Sequence, residues 1–227
     1  MKSQQIVDLT FPIEPHFRWS VERKMVQKME EGSAFQATWL AMPVHCFTHI
    51  DTPRHMVPGG STTDDIRLDH LVGEAKIVDL SGIAPDTAIG ADRLAAAGAH
   101  VGPGDTVLLK TCWDTVRSLR TPEYWTTAPY MTREGCQWLL DRGIRVIGYD
   151  FPQDYPIRGL LTGRKAPIEE FVTHDVLLRN GVIMIEYLCN LSQITGDRAT
   201  LIALPMKVPD SDGAPARVIA LPAGALD

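Results

Sequence analysis

Apolar and polar positions group into eight strand-like stretches along the chain, at 5–9, 36–44, 75–80, 105–110, 144–150, 182–188, 199–208 and 216–221. Helical periodicity predicts three helices between them. One covers 133–142, entered from Thr132 as N-cap and closed by Gly143; one covers 91–97 and ends at Gly98; one covers 168–179 and ends at Asn180 and Gly181. Strands outnumber helices and follow no regular alternation, which predicts a mixed α/β domain and not a regular doubly wound sheet. Two connections, 56–65 (MVPGGSTTDD) and 152–167 (PQDYPIRGLLTGRKAP), concentrate Pro, Gly and polar residues. Such loops either border a site or are solvated links.

Composition narrows the function classes. A length of 227 residues with 44% hydrophobic content suits one domain spanning 1–227. A net charge of −6 offers no basic excess for a phosphate backbone, so nucleic acid is not an expected partner. The opening MKSQQIVDLT has no apolar signal region, and no apolar run approaches the roughly 18 to 20 residues of a bilayer span, so no membrane is expected and the cytoplasm is the expected compartment. Cys46, Cys112, Cys136 and Cys189 form no CxxC pair and are read as reduced thiols, Cys46 as a packing residue despite its histidine neighbours.

The densest chemistry lies in Val44-His45-Cys46-Phe47-Thr48-His49-Ile50-Asp51-Thr52-Pro53-Arg54-His55, which holds three of the seven histidines. Pro43 and Pro53 bracket the run, and Thr48, Ile50 and Thr52 are β-branched, so an extended chain suits it better than a helix. In an extended chain His45, His49, Asp51 and His55 share one face. His49 and Asp51 are then about 7 Å apart and can reach one ion, whereas a straight run leaves His45 about 13 Å from His49. A bend at 46–48 is therefore predicted. Imidazole with carboxylate suits Zn²⁺ or Mn²⁺.

A second group lies far downstream. His174 opens a helix that ends at Gly181, and the strand that follows carries Glu186 between VIMI and YL, where a carboxylate is costly to bury without a cation or strong donors. A short helix with a returning strand can bring His174 and Glu186 to one point; an arginine partner for Glu186 is the alternative reading.

HCFTHIDTPRH resembles the HxGTHxDxPxH signature of the cyclase family of metal-dependent hydrolases, which includes bacterial kynurenine formamidase and isatin hydrolase. The resemblance covers nearly the whole chain, through Asp8-Leu9-Thr10, VLLKTCW, APYMTREGCQWLLDRGIRVIGYDFP, HDVLLRNGVIMIEYLCNL and LIALPMKVPDSDGAPARVIAL. It implies a swivelling β/β/α domain, His45, His49 and Asp51 as ligands of a first metal, and Asp51 bridging to a second held by His174 and Glu186. It further implies His55 as the proton-transfer residue, one or two zinc or manganese ions, and a homodimer or homotetramer. Phe47 departs from the signature glycine, so it requires a different bend or a changed pocket; Gln153 stands where several relatives carry serine.

The reaction these residues suggest is hydrolysis of an amide, of formanilide type or in a strained ring, by metal-activated water with His55 as acid and base. The substrate is expected to be a small molecule, and Trp19, Phe35, Trp39, Phe47 and Trp113 could wall an aromatic one or simply pack the core. Two alternatives stand beside it: a metal-dependent cyclase or lyase acting on a polyketide-like or hydroxy-acid substrate, and a catalytically silent metal-binding protein in which Phe47 plugs the site.

Overall fold

Seven of the eight apolar runs, joined by a short strand through the histidine segment, pair side by side into an eight-stranded sheet that closes on itself in the computed structural model, which describes residues 6–226. In chain order the strands are β1 (Val7–Asp8), β2 (Glu22–Gln27), β3 (Ala37–Ala41), β4 (His49–Asp51), β5 (Val72–Asp79), β6 (Ala88–Ile89), β7 (Thr106–Lys110), β8 (Tyr130–Met131), β9 (Val146–Tyr149), β10 (Ile183–Glu186), β11 (Arg198–Pro205) and β12 (Gly213–Leu221). The α-helices are α1 (Ala91–Ala97), α2 (Trp113–Val116), α3 (Glu123–Thr126), α4 (Arg133–Asp141), α5 (Ile157–Leu160) and α6 (Val172–Val176).

The main sheet runs β1-β12-β11-β5-β7-β9-β10-β4 and is closed by pairing of β12 with β4. Closure works because β12 is long: Gly213 to Pro215 pair with β4, while Ala216 to Leu221 pair with β11. Neighbours among β5, β7, β9 and β10 run parallel, and β4, β11 and β12 join antiparallel. The parallel strands β7, β9 and β10 are buried on both faces, which is why they read as unbroken apolar runs rather than alternating ones.

Alternation along β7 separates two cores. Leu108 points into the barrel with Val146, Ile185, Leu201 and Val218. Val107 and Leu109 point outwards, beneath Leu94, Trp113 and Leu139 on the helices. Gly148 faces the inner core, where an added Cβ would lie 2.6 Å from Leu108 Cδ2 and 2.9 Å from Leu188 Cδ1, so only glycine admits both leucines.

The mixed α/β architecture agrees with the sequence reading, as do α1 and α4; Thr132 Oγ1 accepts the Gly135 N–H at the start of α4, and Gly143 takes a positive φ beyond its end. Three elements differ. The run at 36–44 forms β3, paired only with β2 in a separate hairpin, and β2 had no apolar alternation to announce it. The expected helix at 168–179 breaks into a turn at Ile168–Glu170, α6, and a turn at Leu178–Asn180. Phe171 leaves helical space at ψ 73°, β-branched residues crowd Val172–Val176, and the Thr173 hydroxyl donates to Asp154. The first strand begins at Val7; position 5 lies outside the described residues.

Candidate metal centre

The expected bend is present, and its pivot is Phe47, at φ 51°. Left-handed backbone costs a non-glycine residue about 1–2 kcal/mol, and the ring's packing offsets that cost. Phe47 is buried against Trp19, with ring centres 4.7 Å apart, and faces His16 at 5.6 Å. It does not line the cavity over the histidines. Beyond the bend, β4 carries His49 and Asp51, both 1% exposed, and the turn at Pro53–His55 carries His55.

Strand register brings the second group alongside. Glu186 is the direct partner of His49 across β10 and β4, which places their Cβ atoms roughly 4.5–5.5 Å apart on one face. His174, on α6, approaches from the helix side: its Nε2 lies 3.7 Å from Asp51 Oδ2 and 3.6 Å from Glu186 Oε1. Glu186 has no arginine partner among the described residues; Gln153 Nε2 donates to its Oε1.

Proton positions follow from the hydrogen bonds. His49 Nδ1 lies 2.8 Å from the Phe47 carbonyl, which can only accept, so Nδ1 carries the proton and Nε2 the lone pair. That Nε2 is buried, 3.0 Å from Asp51 Oδ1 but out of line for a hydrogen bond, and 3.7 Å from Glu186 Oε2. His174 is arranged alike: Nδ1 lies 2.6 Å from Asp154 Oδ2, whose carboxylate also accepts the Thr173 N–H and hydroxyl at 2.8 and 2.7 Å. Two imidazole lone pairs and two carboxylates thus converge with the Gln153 amide as a donor to Glu186, a ligand set that fits a divalent cation with one histidine locked by a carboxylate behind it. His49, Asp51 and Glu186 offer ligand atoms within 4.8 Å of one another.

His45 and His55 form a second group around the same Asp51, again with ligand atoms within 4.8 Å. His45 Nδ1 lies 2.7 Å from Asp51 Oδ1 and its Nε2 2.8 Å from Asp212 Oδ2, so both nitrogens are engaged. His55 lies against His45, ring centres 3.9 Å apart and planes tilted by 33°, with Nδ1 3.1 Å from Asp212 Oδ2. Gly213 makes room for this arrangement: a Cβ there would sit 2.7 Å from His45 Cε1 and 2.8 Å from the Ile50 carbonyl.

Titration reports the same demand for positive charge. Burial opposes a charge on His45, but its bonds to Asp51 and Asp212 win and raise it to about 9. His174 is burdened by burial and still held well above the ordinary value by Asp154 and Asp51. Burial pushes Glu186 up, assisted by repulsion from Asp51. His55 goes the other way: burial lowers it further than Asp51 and Asp212 raise it.

The five expected ligand positions and His55 therefore share one end of the barrel, lining a cavity of about 340 Å³. Both Pro/Gly-rich connections border it, through Met56 and through Ile157 and Leu160 on α5. Of the five candidate aromatic wall residues Trp19 alone lines it; Phe47 and Trp113 are buried in the helix-side core, and Phe35 and Trp39 lie exposed on and beside the β2–β3 hairpin. Cys46 donates its S–H to the Pro43 carbonyl at 2.9 Å, and burial pushes its thiol up to about 11, as suits a packing residue. Asp212 and Asp154 were not foreseen. Asp212 sits in the SDG tip of the closing hairpin, where turn chemistry alone explains an aspartate; the fold brings it to the cluster through bonds from the Thr52 N–H and hydroxyl to its carbonyl, which set its carboxylate against His45 and His55.

A closed mixed α/β barrel with histidines and carboxylates gathered at one end is the architecture of a cyclase-type hydrolase. The chain belongs to that family: the cyclase family model, described as "Putative cyclase", matches residues 7–153. It is 26% identical over 227 residues to kynurenine formamidase of Bacillus cereus, covering 98% of this chain and 100% of the relative. It is 26% identical over 226 residues to isatin hydrolase of Roseibium aggregatum, covering 91% and 84%. Among solved structures it is similar to one described as a potential metal-dependent hydrolase with cyclase activity, with 29% identity and a TM-score of 0.71 over 96% of this chain and 98% of the other. No helix among the described residues is long and apolar enough to cross a membrane.

Proposed function

We propose that the chain is a metal-dependent hydrolase of an amide bond, of formanilide type or in a strained ring, and that His45, His49, Asp51, His174 and Glu186 hold one or two zinc or manganese ions. One observation carries this reading: the buried, unpartnered lone pair of His49 Nε2 faces two carboxylates. When bound, a divalent ion supplies Lewis acidity and an acidified water. Asp154 holds His174 in the tautomer that presents Nε2. Asp212, an ionised carboxylate, accepts the Nδ1 proton of His55 and leaves Nε2 as the basic nitrogen. His55, kept neutral at pH 7, takes a proton from the attacking water and returns it to the leaving nitrogen. Trp19 and Phe171 give the cavity an apolar wall suited to an aromatic amide.

The similarity to a kynurenine formamidase and an isatin hydrolase supports this substrate class. Phe47, buried away from the cavity, speaks against a plugged and silent site. The test is elemental analysis of protein purified without added metal, followed by turnover of N-formylkynurenine, isatin and formanilide with product identified by mass; a chain that retains no metal, or releases no product when loaded with zinc or manganese, overturns the reading. Isotopically labelled water distinguishes the rival cyclase or lyase, whose product incorporates no solvent oxygen.

The same reading places the chain as one domain in a homodimer or homotetramer in the cytoplasm. The exposed apolar residues of the hairpin, Met25, Val26, Trp39 and Leu40, support an association of copies, and light scattering of the purified protein tests it.

A further inference from the structure

We propose that Arg18 is a specificity-determining residue that binds a carboxylate carried by the substrate, remote from the bond that is broken; the inference rests on the hydrolase reading for its primary assay. Among the described residues Arg18 is the one lysine or arginine that lines the cavity over the histidine cluster, whose remaining wall is largely apolar. Several other arginines are matched with acids, Arg120 with Glu14, Arg133 with Asp175, Arg158 with Asp86 and Arg217 with Asp8, while Arg23 and Arg93 carry their charge in solvent. Arg18 is in neither group. Among the described residues no carboxylate lies within 4.0 Å of it and its side chain makes no hydrogen bond, while its Nε is buried without a partner.

Guanidinium stays charged at any physiological pH, so a partly buried and unmatched one is a standing cost that an apolar side chain would avoid. The structure nevertheless holds it in place. Its guanidinium carbon lies 4.4 Å from the centre of the Trp125 ring, a cation–π contact that fixes the plane and leaves the edge N–H groups free. The next residue, Trp19, is anchored between Trp125 at 5.1 Å and Tyr187 at 5.4 Å, so the arginine sits on a rigid support. A planar, oriented fork of donors with no acceptor of its own matches a carboxylate in two-point contact. The recognised substrate class is therefore an aromatic amide that bears an acid group.

The test compares 4-formamidobenzoate with formanilide in the metal-loaded wild type, R18M and R18K. A charge-assisted contact predicts a preference for the carboxylated compound of tenfold or more in kcat/KM. R18M should reduce that ratio ten- to a hundredfold, towards one, with R18K intermediate. A ratio unchanged in R18M overturns the assignment. If neither compound is turned over, equilibrium dialysis of the same two compounds decides Arg18 alone, whether or not turnover of N-formylkynurenine and isatin upholds the hydrolase reading: binding of 4-formamidobenzoate weakened tenfold or more by R18M supports it, and equal binding overturns it. If R18M does not fold, R18K carries both comparisons, and a ratio equal to wild type that also survives R18Q overturns it.

Discussion

Two groups of buried carboxylates lie on this barrel and have solved the same physical problem in opposite ways. Asp150, at the end of β9, is fully buried and accepts hydrogen bonds from the Thr111 and Cys112 backbone N–H groups and from the Thr111 hydroxyl at 2.5 Å. Asp51 and Glu186 are as deeply buried, yet among the described residues no backbone N–H serves them; they face imidazole nitrogens, each other and the Gln153 amide. The first acid is satisfied by the fold and holds a turn. The second pair is satisfied only when a cation, or protons on the histidines, completes it. A satisfied buried acid thus belongs to structure, and an unsatisfied one marks chemistry.

The largest effect should come from removing the acid shared by both histidine groups. Asp51→Asn keeps the shape and deletes the charge, so bound metal should fall below detection and turnover of any accepted amide by about 10⁴-fold or more, equivalent to about 5.5 kcal/mol. Chelator should lower the melting temperature of the wild type and leave that of Asp51→Asn unmoved. An Asp51→Asn protein that copurifies with a full complement of metal would erase the distinction between the two acids.

His55→Ala should separate chemistry from metal retention at the same site. Loss of a general acid–base predicts turnover lower by about 10² to 10⁴, with metal content by elemental analysis equal to wild type. Full activity removes His55 from proton transfer; loss of metal makes it a ligand instead.

How much of this was legible in the chain depends on where each contact originates. His49 and Asp51 were readable because β-branched residues between two prolines force an extended run with one-faced side chains, and Glu186 because a lone charge interrupts an apolar strand. Asp154 and Asp212 were not, since each reaches the cluster through a turn whose own chemistry already accounts for an aspartate. The hairpin half at Glu22–Gln27 was silent for another reason: both of its faces are exposed, so it carries no alternation. The helix expected at 168–179 overestimated local propensity against a tertiary bond, the Thr173–Asp154 contact that orients His174.

Phe47→Gly tests whether the bend or the ring serves the site. Glycine would release about 1–2 kcal/mol of backbone strain at φ 51°, but loss of a buried phenylalanine costs about 3–5 kcal/mol, so packing wins. Net destabilisation of about 1–4 kcal/mol is expected in urea unfolding of the metal-loaded protein, with metal content unchanged because the backbone path is kept. Lost metal would show that the ring, and not the bend, positions His45 and His49.

The smallest effect lies at the satisfied acid, and its sign is diagnostic. Burial raises the Asp150 carboxyl to about 7, against the pull of its hydrogen bonds from Thr111 and Cys112, so between its unfolded value near 4 and pH 7 the native protein binds a proton that the unfolded chain has released. Its contribution to stability is therefore fully present below the unfolded pKa and is lost as pH rises through about 7. Asp150→Asn cannot titrate, so the stability difference between wild type and variant should shift by about 2 kcal/mol in favour of wild type on going from pH 7 to pH 5, read from urea unfolding of chelated samples. Metal content of the variant should equal that of wild type. A difference that stays flat with pH would mean that the three donors hold Asp150 ionised throughout, and the contrast between the two acids would then rest on hydrogen bonding alone, with burial playing no part in it.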